Sequence, residues 1–412
     1  MRLDGASLWA SLAEVNRIGA TEAGGAERLA WSDEEIAARS WFAARAEDAG
    51  LMVSWDPAGN VWGFGALEPA VVLGSHLDTV PGGGRFDGAL GAIAALEVVT
   101  LARRERQSGC ERLAVVCFCD EEGIRFGLGM AGSRAVAGTL SADEIGAARD
   151  RQGNSLADVL ERHGFPPAAV ADAEANRARM GAYLELHIEQ GRRLERLGAP
   201  LGVVTAIVGL NDYHIEVTGE ANHAGTTSPA DRRDALLVVA KVALAAHAEM
   251  GSGEEFVATV GDAWVRDGAP NIVPGRAGCT LDVRAAHSAV IEDAAERILD
   301  AGRAAAAVHG CELEARLAKR LPPAPMDELV VEALVAAATE RELEAPRLVS
   351  QAGHDSMSLG PAGVPCGMLF VRSEKGISHS PRENSSQADC VLGAEVLGAA
   401  ALSLARQGQS RP

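Results

Sequence analysis

A chain of 412 residues, 47% of them hydrophobic, is long for one domain and too apolar to be disordered as a whole, so two domains with sizeable cores are expected. The formal net charge of -19 argues against nucleic acid or an anionic membrane as a partner, because an acidic surface repels both. Seven cysteines in no regular framework fit reduced thiols in a cytoplasm better than a secreted disulfide scaffold.

In chain order, residues 1 to about 62 read as helices leading into a first strand. Ser32-Asp33-Glu34-Glu35 resembles a capping box ahead of a helix over Ile36 to Ala49, which Gly50 is placed to end. Met1 to Gly5 lack the continuous apolar stretch of a signal peptide, and no later run reads as long enough to span a bilayer. Met52 to Trp55 looks extended and Asp56-Pro57-Ala58-Gly59-Asn60 is a turn by composition.

The apolar run Ala70-Val71-Val72-Leu73 then predicts a buried strand, followed by G-S-H-L-D-T-V-P-G-G-G-R-F-D-G over Gly74 to Gly88. His76, Asp78 and Asp87 put an imidazole and two carboxylates into one short segment, the ligand chemistry of zinc and similar ions. His76 and Asp78 are expected just past the strand, where open α/β sheets place their ligands. Residues two apart in an extended segment point the same way, so Asp78 is placed to fix the tautomer of His76. Gly82-Gly83-Gly84 lets the backbone bend so that Asp87 returns to the same point. Taken alone, the segment also reads as an ordinary polar strand end.

A helix is predicted over Gly91 to Arg103 and a strand over Leu113 to Phe118, which delivers Asp120-Glu121-Glu122 at its end. Three consecutive carboxylates repel one another unless a cation or a proton relieves them; the plain alternative is a solvated acidic turn. Residues 131 to 179 read as mostly helical. Tyr183 to Ile188 alternates as a further strand that carries His187 and Gln190 to its end.

From 209 to 325 the pattern changes. Strands at Tyr213 to Thr218, Phe256 to Trp264, Cys279 to Val283 and Glu312 to Leu317 alternate with helices at Ala230 to Met250 and His287 to Val308. That βαββαβ order is the split βαβ plan of a small domain, inserted into the larger one. Its polar segments, around His223, Asn271 and Arg284, are not assigned a function by spacing alone. The α/β pattern resumes with a helix over Met326 to Ala338, a polar loop Gln351 to Asp355 and a strand over Pro365 to Val371. A loop Gly376 to Glu383 carrying His379 and a helix over Ala388 to Ala405 complete the chain. Four strand ends thus each supply a metal-competent group, a recurrence hard to ascribe to chance.

Taken in order, G-S-H-L-D-T-V with G-G-R-F-D-G, D-E-E-G-I-R-F-G, L-H-I-E-Q-G, N-H-A-G-T-T, P-N-I-V-P-G, A-G-H-D and G-I-S-H-S-P resemble the motif set of the metal-dependent N-carbamoyl-amino-acid hydrolases. Their relatives are the β-ureidopropionases, the allantoate and ureidoglycolate amidohydrolases and, more distantly, the aminoacylase-type zinc exopeptidases. The resemblance runs from about Trp31 to the C-terminal helix. It implies an α/β, zinc-exopeptidase-like catalytic domain, residues 1–208 and 326–412, with a mixed sheet flanked by helices. Residues 209–325 would be an inserted α+β, ferredoxin-like lid and dimerisation domain. Crossings near Val208-Gly209-Leu210 and Leu321-Pro322-Pro323 are its natural hinge, and the assembly a homodimer in which a lid residue could reach the partner's active site.

The resemblance also implies two divalent ions per chain, zinc first, with manganese, cobalt or nickel compatible with the same donors. Asp87 would bridge them, His76 and His187 completing one and Glu122 and His379 the other. Glu121 matches the general base and Asp78 an outer partner. Gln190, His223, Asn271 and Arg284 match positions that hold the substrate, Arg284 on its carboxylate, with His223 also on the oxyanion. The implied substrate is a small ureido acid, an N-carbamoyl amino acid or a compound such as allantoate. An aminoacylase-like or dipeptidase activity is disfavoured by Gln190 and the H-A-G-T-T segment, and a metal-free binding protein by the presence of every expected ligand. Ser228-Pro229 and Gln351 depart from the family's usual residues where a substrate side chain would be read, so the particular substrate does not transfer.

Overall fold

Buried apolar runs lay out the first of two units into which the chain divides, Met1–Thr205 with Pro325–Pro412; the second is Ala206–Ala324. The computed structural model describes residues 1–250 and 256–407. The first unit opens with helices α1 (Gly5–Val15) and α2 (Asp33–Asp48). Ser32 caps α2 by accepting the Glu35 N–H at 3.2 Å, and Gly50, with φ of 75°, follows its last turn. The expected capping box is not reciprocal: Glu35 reaches back to the Trp31 N–H at 3.0 Å because its carboxylate is buried and paired with Arg39.

Arg39 is itself fully buried, donates to the Gly59 carbonyl and lies 4.6 Å and 5.1 Å from the ring centres of Trp31 and Trp55. Removing one partner of a buried ion pair leaves the other charge without compensation. Glu35→Ala is therefore expected to cost about 3–5 kcal/mol in denaturant unfolding, and Glu35→Ala combined with Arg39→Met should recover part of it. A loss below about 1 kcal/mol, the scale of an exposed pair, would remove this role.

Strands β1 (Met52–Trp55), β2 (Val61–Phe64), β3 (Ala70–His76), β4 (Leu113–Phe118), β5 (Met180–Ile188) and β6 (Leu201–Ile207) follow, with helix α3 (Ala89–Arg104) between β3 and β4. Every residue of β3 and β4 is buried, the signature of strands covered on both faces. β3 runs on through His76, so that histidine is the strand's last residue rather than lying beyond it. Short helical turns fill most of 131–179.

The second unit comprises β7 (Gly209–Thr218), β8 (Asn222–His223), helix α4 (Ala235–Met250), β9 (Phe256–Thr259), β10 (Ala263–Arg266), β11 (Ile272–Val273), β12 (Arg276–Ala285), helix α5 (Ser288–His309) and β13 (Glu312–Leu321). Its five-stranded antiparallel sheet has the order β10-β12-β7-β13, with β9 also on β12. Ile215, Val217, Leu281 and Val283 from the sheet pack with Val238, Val242, Ala294 and Ile298 from the helices. Two expected elements differ. The strand predicted over Phe256 to Trp264 is broken at 260–262, where Asp262 hydrogen-bonds Thr280 through its own N–H and carbonyl. The helix predicted from Ala230 begins at Ala235, because Pro229–Asp231 forms a separate 3-10 turn and Arg233 pairs with Glu220.

The first unit then resumes with β14 (Ala324–Pro325), α6 (Glu328–Thr339), β15 (Arg347–Ser350), β16 (Cys366–Val371) and α7 (Gln387–Gln407). Its nine-stranded mixed sheet has the order β1-β2-β4-β3-β5-β16-β6-β14, with β15 on β6. Strands β2, β6, β14 and β15 were not foreseen; β2 and β6 extend the sheet as antiparallel neighbours of β4 and β16. The expectation that no run is long enough to span a bilayer is corrected by α7, which is long and apolar enough by length and composition. Cys390, Ala394, Leu397 and Ala401 of α7 are nevertheless fully buried, so that apolar character serves the core.

Candidate metal centre

The central strands β4, β3, β5 and β16 are mutually parallel neighbours. Parallel strands end on one side, and the crevice beyond their carboxyl ends is where α/β sheets hold ligands. β3 ends in His76, β4 leads into Asp120-Glu121-Glu122, β5 carries His187 next to its last residue, and the loop after β16 carries His379. Asp87 arrives on the loop between β3 and α3. Gly88, with φ of 61°, precedes α3, and a Cβ there would run into the His76 ring, so only glycine lets the loop pass this close.

Asp87 is the meeting point. Its Oδ1 lies 3.2 Å from His187 Nε2 and 3.9 Å from His76 Nε2, while its Oδ2 lies 3.3 Å from His379 Nε2. His379 Nε2 is also 3.6 Å from Glu122 Oε2. Donor atoms of His76, Asp87 and His187 all fall within 4.8 Å of one another, as do those of Asp87, Glu122 and His379. The two oxygens of one carboxylate thus face two different sets of donors.

The imidazoles are oriented for a cation. His76 Nδ1 is 3.0 Å from the Asp78 carbonyl and His187 Nδ1 is 2.9 Å from the Ile188 carbonyl. A carbonyl only accepts, so each neutral ring carries its proton on Nδ1 and turns the Nε2 lone pair towards Asp87. The Gly88 N–H, 3.3 Å from His187 Nε2, agrees with that tautomer. The donor set, imidazole nitrogens and carboxylate oxygens converging from separate strand ends, fits divalent ions of the zinc and manganese kind.

Asp78 acts differently from the sequence-based expectation. Its carboxylate is 3.4 Å from His76 Nδ1, farther than its own carbonyl at 3.0 Å, and β3 has already ended at His76. The two carboxylate oxygens accept instead from the backbone N–H groups of Glu121 at 3.2 Å and Glu122 at 3.1 Å. Asp78 therefore ties the β3 end to the acidic turn after β4. Glu121 Oε2 stands 3.6 Å from His76 Nε2. Gln190 donates from Nε2 to Asp87 Oδ2 at 2.9 Å, and its buried Oε1 has no partner among the described residues. Asp120, Gln190 and His379 all adopt left-handed backbone, with φ of 54°, 57° and 52°, conformations that cost free energy outside glycine and gather at functional sites.

Electrostatically the crevice is short of positive charge. Burial, with Asp355, Glu122 and Asp78, lifts the Glu121 carboxyl well above its ordinary range against the pull of His76. Burial and Asp87 push Glu122 up to about 7, and burial and Asp78 push Asp120 up to about 8. Burial also opposes charge on Asp87, yet His187, His379 and His76 outweigh it and hold that carboxyl well below its usual value. Hydrogen bonding to Asp87 raises His379 to about 9. Carboxyls buried this closely call for a proton or a cation between them.

Some residues of this region carried no role in the sequence reading. His354, from the A-G-H-D loop, is buried with its ring 4.4 Å from that of His187 and its Nε2 3.0 Å from Ser350 Oγ. Glu185 is fully buried and accepts from Ser75 Oγ at 2.8 Å and Ser356 Oγ at 3.3 Å. Alternation along β5 puts Glu185 on the face of His187, the one signal that could have singled it out. Asp355 is also fully buried, and neither of its carboxylate oxygens has a hydrogen-bond partner among the described residues.

Within the second unit, β8 and β11 pair with His223 opposite Ile272, and the Ala224 N–H donates to the Asn271 carbonyl at 2.9 Å. His223 and Asn271 thus belong to one local structure. His223 Nδ1 accepts from the Gly225 and Thr226 N–H groups at 3.1 Å and 3.2 Å, which leaves its exposed Nε2 as the protonated, donating nitrogen. Arg284 lies apart on β12, where its Nε donates to Asp282 Oδ1 at 2.8 Å.

Residues 72–403 match the Peptidase family M20/M25/M40. The chain is 38% identical over 399 residues to the N-carbamoyl-L-amino acid amidohydrolase of Geobacillus stearothermophilus, covering 96% of this chain and 97% of that protein. It is 33% identical over 386 residues to the allantoate amidohydrolase of Bacillus subtilis (strain 168), covering 92% of each. Among solved structures, an amidase of the hydantoinase/carbamoylase family from Burkholderia multivorans superposes with a TM-score of 0.88 at 34% identity over 98% of both chains.

Proposed function

The chain belongs to the peptidase family M20/M25/M40, a metal-dependent family, and from that premise we propose that it hydrolyses the ureido C–N bond of an N-carbamoyl amino acid or of a related ureido acid such as allantoate or ureidoglycolate. The similar proteins named above, matched over nearly their whole length, support a hydrolase of non-peptide C–N bonds. The observation that carries the reaction is Asp87, whose two oxygens face His76 with His187 on one side and His379 with Glu122 on the other.

In this reading His76, His187 and Asp87 hold one divalent ion, and Asp87, Glu122 and His379 a second, zinc being the first candidate. Such ions supply Lewis acidity, polarising a carbonyl and bringing the pKa of water towards about 7. Glu121, outside both donor groups, accepts the proton of the attacking water and returns it to the departing nitrogen. His223 donates its Nε2 proton to the developing oxyanion. Gln190 offers its unpartnered Oε1 to a substrate N–H, and Asn271 orients the substrate's polar groups. Arg284 takes the substrate carboxylate with its planar fork. The second unit, whose strand order supports a ferredoxin-like assignment, is read as lid and dimerisation domain of a homodimer. The seven free cysteines of the whole chain are in keeping with a reducing, cytoplasmic setting.

The test is ammonia release from a panel of N-carbamoyl amino acids, allantoate and ureidoglycolate after loading with zinc or manganese, beside release of free amino acid from N-acyl amino acids and dipeptides. Turnover of at least one ureido acid is expected, lost on chelation. Activity confined to the N-acyl or dipeptide arm would overturn the ureido assignment.

A further inference from the structure

Glu383 is buried, 1% exposed, and has no part in the chemistry above. Its Oε1 accepts from two successive backbone N–H groups, Phe86 at 2.8 Å and Asp87 at 3.0 Å. Its Oε2 lies 3.0 Å from Ser378 Oγ, the residue before His379, and that same hydroxyl lies 2.9 Å from Asp87 Oδ2. One side chain therefore grips both loops that deliver donors, the loop carrying Asp87 and the loop carrying His379. Gly84 makes the grip possible, because a Cβ there would run into the Glu383 carboxyl.

The turn that presents Glu383 is itself closed by the Glu383 N–H donating to the Ser380 carbonyl at 2.9 Å. A buried carboxylate is costly unless hydrogen bonds compensate it, and its donors here sit at, or next to, candidate ligands. Asp78 holds Glu121 and Glu122 in the same manner from just past the end of β3. The crevice is thus flanked by two carboxylate clamps on ligand-bearing backbone.

We propose that Glu383 is a positioning residue for the metal centre, fixing the place of Asp87 against His379 so that metal affinity depends on its grip on the Phe86 and Asp87 amides. The proposal rests on the reading of Asp87 as the shared ligand. Residues that orient ligands from the outer shell typically change metal affinity by about 10- to 100-fold when removed. A bare cross-link between loops would instead change unfolding and leave affinity alone.

The experiment measures the zinc dissociation constant of the full chain by competition with a chromophoric chelator, beside thermal unfolding of the metal-free proteins. Glu383→Ala is expected to weaken zinc binding by at least about 10-fold. Glu383→Gln keeps an oxygen for both amides and an N–H for Ser378 Oγ, so it should stay within about 3-fold of wild type. Ser378→Ala, which removes only the hydroxyl between the two carboxylates, should weaken binding by about 3- to 10-fold and decides the matter if Glu383→Ala fails to fold. Wild-type affinity in Glu383→Ala or in Ser378→Ala, or equal weakening in Glu383→Gln and Glu383→Ala, overturns the proposal. A wild-type chain that takes up no zinc would overturn the metal reading with it, whereas zinc uptake unaffected by these changes removes the positioning role alone.

Discussion

Glu121→Gln should lower kcat by at least about 10²-fold while the metal content stays at the wild-type level. Glutamine keeps the size and much of the hydrogen bonding of glutamate but does not accept the proton that the base must carry. Glu121 is absent from both donor groups that contain Asp87 and from the third, Glu185, His187 and His354, and its backbone is held through its N–H by Asp78, neither of which the exchange alters. Its Oε2, 3.6 Å from His76 Nε2, faces the same crevice as the donors, so the side chain is in reach of the reacting atoms without being needed to retain an ion. Steady-state ammonia release, with elemental analysis of the same samples, checks both halves. Near-normal turnover would remove Glu121 as the base, and loss of metal would make it a ligand.

Asp87→Ala should abolish metal uptake altogether, from about two ions per chain to nearly none, and activity with it. Both donor groups share this carboxylate, so one substitution removes a ligand from each. The change also strips Gln190 Nε2 and Ser378 Oγ of their acceptor and leaves three imidazoles without the anion that holds them. Glu122→Ala is the comparison: it touches one donor group only, so about half the metal should remain. Elemental analysis after dialysis, with circular dichroism to verify folding, reads the result. Unchanged metal content in Asp87→Ala would eliminate the shared-ligand assignment.

Much of the arrangement was legible from residue order. Buried strands announce themselves as short continuous apolar runs, which is how Ala70 to Leu73 and Leu113 to Phe118 stand out, and a polar cluster directly after such a run is visible without any structure. Less was legible where a strand is short or half covered: Val61–Phe64 and Arg347–Ser350 are four-residue strands, too brief for alternation to separate from turn.

By itself, then, the sequence determined the α/β class, the family resemblance and which chemical groups sit at strand ends, because burial period and motif order are written along the chain. Only the tertiary structure decided which ends are neighbours. Strand order is a matter of non-local pairing, and nothing in the local pattern says that β4, β3, β5 and β16 lie side by side. Likewise the Asp78 carboxylate turns to the Glu121 and Glu122 amides, which only the pairing of β3 with β4 brings within its reach. Glu383 reaches the Phe86 amide across 297 positions, a separation at which residue spacing carries no information and only the packing of two loops brings donor and acceptor together.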